Sequence, residues 1–168
     1  MFAGFVDLAG TLKAIILVED TSDVPIDADA LPTYRVYGPN GFVESGTVAF
    51  LDSGTLTGAT NATPIVITFT AHGLTTGARI KITGVVGNTA ANGTFIITKI
   101  NSNTFSLDGS VGNGAYVSGG AWHVVGAYSV TINALASSGY EASENYSTLF
   151  NFNISSTAKG DVISFGVI

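Results

Sequence analysis

The residues of this chain best suited to proton transfer or metal binding are its two histidines, His72 and His123; cysteine is absent. Nucleophilic catalysis would set a serine or threonine against one of them, with a carboxylate behind it to orient the ring. A zinc site would need three or four His, Asp, Glu or Cys ligands. His72 lies in "TAHGLTTGARIKITGV" (70–85), and the one acid between residues 57 and 122 is Asp108. Neither a triad nor a ligand set can be assembled, so His72 ahead of Gly73 reads as a residue that shapes or caps a turn. No catalytic residue, cofactor or resident metal is expected.

Other groups are weighed in the same way. The stretch "EDTSDVPIDADA" offers Glu19, Asp20, Asp23, Asp27 and Asp29, enough oxygens for calcium but without the ordered spacing of a calcium-binding loop, so it reads as a solvated acidic loop. Those five acids form the expected docking surface. Glu141 and Glu144 could be posed as a glycosidase pair, but their Ser and Asn neighbours provide no aromatic platform. Tyr116, Trp122 and Tyr128 have flat rings with polar tips and are the expected contacts if the chain binds a sugar. The competing reading makes Trp122 a plug at a domain junction. "GVVGNTAANG" and "DGSVGNGAYVSGG" lack the Lys-Ser/Thr of a phosphate loop and read as hairpin loops. Four glycosylation sequons, at Asn61, Asn92, Asn145 and Asn153, are taken as chance.

The elements that must position these residues are strands. Apolar residues make up 46% of the chain and charged residues 11%, which excludes disorder and suits a protein buried in an assembly. Glycine at 21 positions, with abundant Thr, Ser, Asn and Val, is the composition of short strands joined by tight turns. The net charge of −6 with only six basic residues argues against a nucleic-acid surface and against an anionic membrane. "MFAGFVDLAGTLKAIILVED" has no basic leader and no run long enough for a signal core or a span, so assembly in the cytoplasm is expected.

Charge also divides the chain. Residues 1–56 carry −6, residues 57–122 carry +2 and residues 123–168 carry −2. The outer segments alternate as strands in "TLKAIILVED", "PTYRVYG", "FVESGTVAFL", "AYSVTINAL", "YSTLFNFNI" and "DVISFGVI", with a turn at "GPNG" (38–41). "NALASSGYEASENY" reads as a loop with room for a short helical turn. Within the middle segment "PIVITFT", "ARIKIT", "TFIITKI" and "NTFSL" alternate in the same way. The expected fold is all-β: an immunoglobulin-like β-sandwich of residues 1–56 and 123–168, interrupted by a small β-barrel of residues 57–122. Such insertions are tolerated at loop tips whose ends lie close together.

"GFVDLAGTL", "DADALPTYRVYGPNG" and "GAYSVTINALASSGYEASENYSTLFNFNIS" resemble small β-sandwich proteins encoded among the virion structural genes of tailed bacteriophages. The middle segment, through "HGLTTG", "IKITGV", "NGTF" and "NTFSLDG", is similar to a small barrel module of phage tail and virion proteins, related to one in ubiquitin-activating enzymes. The resemblance implies a virion part, and it makes the residue at position 72 a turn histidine. In the sandwich family the chain runs almost directly into "GAYSV", whereas here a barrel intervenes.

The expectation is a non-enzymatic virion structural protein, a capsid decoration protein or head-fibre base with a projecting barrel, assembled in the host cytoplasm. Its partners would be the major capsid protein or neck and tail proteins, and it would self-associate as a homo-oligomer. The alternatives are a neck or tail component, and a tail-tip carbohydrate- or receptor-binding module using Tyr116, Trp122 and Tyr128. A hydrolase ranks last.

Overall fold

Alternation of apolar and polar residues, punctuated by Gly, Asn and Ser, produces an all-β chain whose only helical turns are two short ones, Thr89–Ala91 and Ala136–Ser138, among the described residues. The computed structural model describes residues 2–6 and 8–168, with side chains from residue 8 onward. Asp7, counted among the acids of the first segment, and part of the "GFVDLAGTL" motif lie outside the residues so described. Two compact units divide the chain: one comprises Met1–Phe50 and Gly126–Ile168, the other Leu51–Val125.

The first unit begins with β1 (Phe2–Val6), β2 (Thr11–Leu17), β3 (Thr33–Gly38), β4 (Gly41–Thr47) and β5 (Ala49–Phe50). The second contains β6 (Ser53–Thr55), β7 (Gly58–Ala59), β8 (Ile65–Thr68), β9 (Arg79–Val86), β10 (Gly93–Lys99), β11 (Thr104–Leu107) and β12 (Ser118–Val124). The chain then returns to the first unit for β13 (Ala127–Asn133), β14 (Asn145–Ile154) and β15 (Thr157–Val167).

In the first unit one sheet runs β1-β15-β14-β3-β4 and another runs β2-β13-β5. Their inward residues, among them Ile16, Val36, Tyr128, Ile132, Phe150 and Phe165, form a single buried core. Period-2 burial is what places them there: Tyr146, Thr148 and Phe150 are buried on β14 while Asn151 and Asn153 stay exposed. The "GPNG" signal is a tight hairpin, with Gly38 opposite Gly41. "FVESGTVAFL" is split at Val48, which is buried and donates its N–H to the Pro32 carbonyl at 3.0 Å, so the segment serves two different sheets.

Tyr140, Tyr146 and Phe165 form an aromatic cluster in this core, with Tyr146 and Phe165 stacked at 5.6 Å. The Tyr140 hydroxyl donates to Glu44 Oε1 at 3.0 Å. Burial, and then the neighbouring Glu44 carboxylate, hold the Tyr140 hydroxyl far above the usual tyrosine range. In the unfolded chain the phenol ionises near its ordinary value of about 10. The unfolded state therefore binds fewer protons than the native state above that pH, and stability must fall as pH rises from there. Urea midpoints measured at about pH 8 and about pH 11 should show this decline, and Tyr140→Phe should flatten it. An unchanged slope in the variant would assign the decline to other tyrosines.

In the second unit all strands belong to one sheet, ordered β6-β12-β9-β10-β11-β8-β7. Its two ends are the same stretch of chain: Leu56 donates to Gly120 O and Thr57 donates to Thr68 O, so residues 53–59 pair with β12 at one end and with β8 at the other. The sheet therefore curls back on itself, barrel-like, around Ile65, Ile67, Ile80, Ile82, Phe105 and Trp122.

The expected limits of 57 and 122 shift to Leu51 and Val125 because β6, read as part of the first unit, pairs with β12 through Ser53 opposite His123. The reading of "DGSVGNGAYVSGG" as a hairpin loop is also corrected, since its last three residues open strand β12. Glycine is required there: a Cβ on Gly119, at φ +76°, would run into the carbonyl oxygen of Gly84 on the neighbouring strand.

Adjacency of chain crossings explains how the units coexist in one sequence. In the first unit Phe50 and Tyr128, at the exit and return, are cross-strand neighbours with stacked rings 5.4 Å apart. In the second, Val124 donates to Asp52 O at 3.0 Å. Neither unit has to distort to let the other interrupt it.

Candidate functional site

His72 is held by three elements of the second unit. Its Nε2 lies 2.8 Å from the Asn101 carbonyl and its Nδ1 accepts the Leu74 N–H at 3.1 Å. Those partners assign the proton to Nε2, because a carbonyl can only accept and a backbone N–H can only donate. The ring is 4% exposed and meets Phe105 edge-on at 5.1 Å. Both nitrogens are thus engaged in fixing the 71–74 turn against the 101–103 turn, and neither is turned to a substrate. His72→Ala should leave the buried Leu74 N–H and the part-buried Asn101 carbonyl without partners and cost about 1–3 kcal/mol, read from urea denaturation. A loss below about 0.5 kcal/mol would mean that water replaces the ring.

The five acids of the 19–29 stretch separate into two groups. Asp27 and Asp29 hold the fold. Asp27 Oδ1 accepts the Gly126 N–H at 3.1 Å. Asp29 accepts Ser155 N–H on Oδ1 at 3.0 Å and Ser156 N–H on Oδ2 at 2.6 Å. Those serines form the two-residue turn between β14 and β15 and both adopt left-handed backbone, φ 48° and 63°. Asn-Gly suits that geometry better than Ser-Ser, so the double replacement Ser155→Asn, Ser156→Gly should stabilise the protein by about 1 kcal/mol. No rise in the urea midpoint would show that the Asp29 cap already offsets the strain.

Glu19, Asp20 and Asp23 remain exposed. Asp20 Oδ1 accepts Ser22 and Val24 N–H, which folds the loop back. The three acids line a groove of about 730 Å³ in the first unit, together with Asp161 and Lys159 from β15. Leu17, Ile26, Phe152 and Ile154 supply its apolar lining. Asp161, Phe152 and Ile154 escaped sequence reasoning, because more than a hundred residues separate them from Asp20 and only strand pairing brings them together. The groove sets carboxylates beside an apolar surface.

The remaining candidates are placed elsewhere. Trp122 is 2% exposed in the core of the second unit, edge-on to Phe69 at 5.3 Å and to Phe105 at 6.3 Å. Tyr128 is 1% exposed in the core of the first, its hydroxyl accepting the Ala28 N–H at 2.9 Å. Burial raises the Tyr128 hydroxyl above the usual range; that hydrogen bond works against the rise, and Asp27 adds to it. Tyr116 is half-buried and donates to the Gly119 carbonyl at 2.9 Å. The expected aromatic sugar face is therefore corrected: two of its rings are core residues, since both alternate inward on their strands.

Glu141 and Glu144 lie on the segment between β13 and β14. Glu141 Oε1 accepts from Asn40 at 3.3 Å and its N–H bonds the Tyr146 hydroxyl, while the Glu144 carbonyl accepts the Val167 N–H. Asn92 uses its carboxamide like a strand neighbour, accepting the Val85 N–H at 2.8 Å and donating to the Val85 carbonyl at 3.0 Å. Among the described residues no group of three or more His, Cys, Asp or Glu is placed to hold a metal, and no helix is long and apolar enough to cross a membrane. In comparisons with known proteins, no family model matches the chain and no curated protein matches it.

Proposed function

We propose that this chain is a non-enzymatic structural protein of a tailed-bacteriophage particle. In this reading the first unit is an immunoglobulin-like sandwich that attaches to the particle as a capsid decoration protein or head-fibre base, and the second is a small barrel that it carries. The observation that carries the reading is the discontinuous organisation. A two-sheet unit with its own core is interrupted between neighbouring strands by a curled one-sheet unit with its own core. That is the arrangement implied by the sequence resemblance, which covers the outer segments and the middle segment separately. The commitment of His72, Asp27 and Asp29 to backbone groups supports a structural role over a catalytic one.

Cryo-electron microscopy of the particle that carries this chain tests the proposal. Symmetric copies over the shell lattice are the expected result. Density at the neck or tail alone would replace decoration by a connector role, and absence from the particle would overturn the reading. Attachment through acidic side chains should also weaken in high salt. The carbohydrate-binding alternative retains only Tyr116 of its three expected contacts at the surface, Trp122 and Tyr128 being buried.

A further inference from the structure

The β14–β15 hairpin is longer than the strand that covers its outer side. β15 pairs with β14 along its whole length, from Thr157 opposite Ile154 to Gly166 opposite Asn145. On its other side β1 first pairs at Ser164. Among the described residues no strand pairs with β15 between Thr157 and Ile163 on that side.

The register tells which groups face outward. The two-residue turn makes Ile154 and Thr157 a hydrogen-bonded pair, and the alternation of antiparallel pairing then turns the N–H and C=O of Ala158 and Gly160 away from β14. Asp161 Oδ1 accepts the next outward N–H, that of Val162, at 2.8 Å. This edge borders the acidic groove, since Lys159, Gly160 and Asp161 line it with Leu17, Glu19 and Asp23. Open edges recruit strands, and the side chains around them decide which strands are accepted.

We infer that β15 residues 157–161 receive an extended segment of a partner protein as an added strand, and that this segment alternates Lys or Arg with apolar side chains. The backbone of Ala158 and Gly160 would bond the incoming strand. Among the described residues lining the groove, Glu19, Asp20, Asp23 and Asp161 outnumber Lys159 and select for positive charge. Leu17, 65% exposed, and Ile26 offer apolar surface to the alternate residues. The inference rests on the proposed function only in that a particle supplies the partner.

The test uses the full chain, labelled with nitrogen-15, and an acetylated and amidated octapeptide alternating lysine and valine. Saturable shifts and slowed exchange at the Ala158 and Gly160 amides are expected. An octapeptide alternating glutamate and valine should bind at least about tenfold more weakly. Ala158→Pro removes one outward N–H at an edge position where proline is tolerated and should abolish the slowed exchange. The triple variant Glu19→Gln, Asp23→Asn, Asp161→Asn keeps every backbone group and should weaken the lysine peptide about tenfold, so the test stands even if the proline variant misfolds.

Equal binding of the two peptides, shifts not centred on residues 157–161, or no binding would overturn the inference. So would protection of the same amides without peptide at high protein concentration, which would make the occupant a second copy of the chain. None of these results bears on where the protein sits in a particle, so the two readings fail separately.

Discussion

Replacing Gly126 with alanine should destabilise the protein by about 3 kcal/mol or more. Gly126 is the first residue of the returning chain and adopts φ +72°, a conformation that costs alanine about 1 kcal/mol. A Cβ there would also collide with the Val18 carbonyl oxygen and come within 2.8 Å of the Ile26 carbonyl oxygen. Neither oxygen can withdraw freely. The backbone on both sides is tied: Val18 donates to Gly126 O at 2.7 Å, Ile26 donates to Val18 O at 3.0 Å, and Gly126 donates to Asp27. Gly41 provides the control, with φ +105° and open space where a Cβ would stand. Gly41→Ala should cost only the backbone term, about 1 kcal/mol. Equal losses for the two variants in urea denaturation would show that the segment at Val18 and Ile26 relaxes and that the packing argument is mistaken.

Trp122→Ala should cost about 3–5 kcal/mol, because it empties the centre of the second unit's core. The indole touches Phe69 and Phe105, and its flank is covered by Gly54, whose missing Cβ leaves room for the Phe69 ring. Trp122→Phe should cost much less than the alanine change. The indole N–H is buried without a hydrogen-bond partner, so its removal forfeits no bond and relieves the burial of a polar group. A phenylalanine variant as damaged as the alanine one would reveal a partner for that N–H, and near-neutral behaviour of Trp122→Ala would place the ring outside the core. The pair also bears on sugar binding. Loss of glycan binding in Trp122→Ala would report a disrupted core, and only Trp122→Phe tests the indole with the packing largely kept.

The all-β character and the faces of the strands were legible in the sequence. Tyr146, Thr148 and Phe150, or Ile80 and Ile82, alternate with more exposed residues and are buried, because a strand turns successive side chains to opposite sides whatever it pairs with. The turn role of His72 was legible too, through the absence of a second ligand or an orienting carboxylate nearby. All five acids of the 19–29 stretch were expected at a docking surface, and nothing local distinguished Glu19, Asp20 and Asp23 from Asp27 and Asp29. That difference arises only when Gly126 and the Ser155-Ser156 turn arrive as hydrogen-bond donors.

Aromatic roles were the least legible. Trp122 and Tyr128 stand near the end of the middle segment and look like one patch when read along the chain, yet each belongs to the core of its own unit. Short glycine-rich strands escaped for a related reason, since Ser118-Gly119-Gly120 has the composition of a loop and becomes a strand only by close approach to Gly84. By itself, then, the sequence determined what local periodicity and composition set: strands, turns and the acidic balance. Tertiary structure alone decided which strands pair, which carboxylates are spent on backbone caps, and which edge of β15 stands beside an acidic groove. The physical reason is that pairing and capping join groups a hundred or more residues apart, and no local pattern records a partner at that distance.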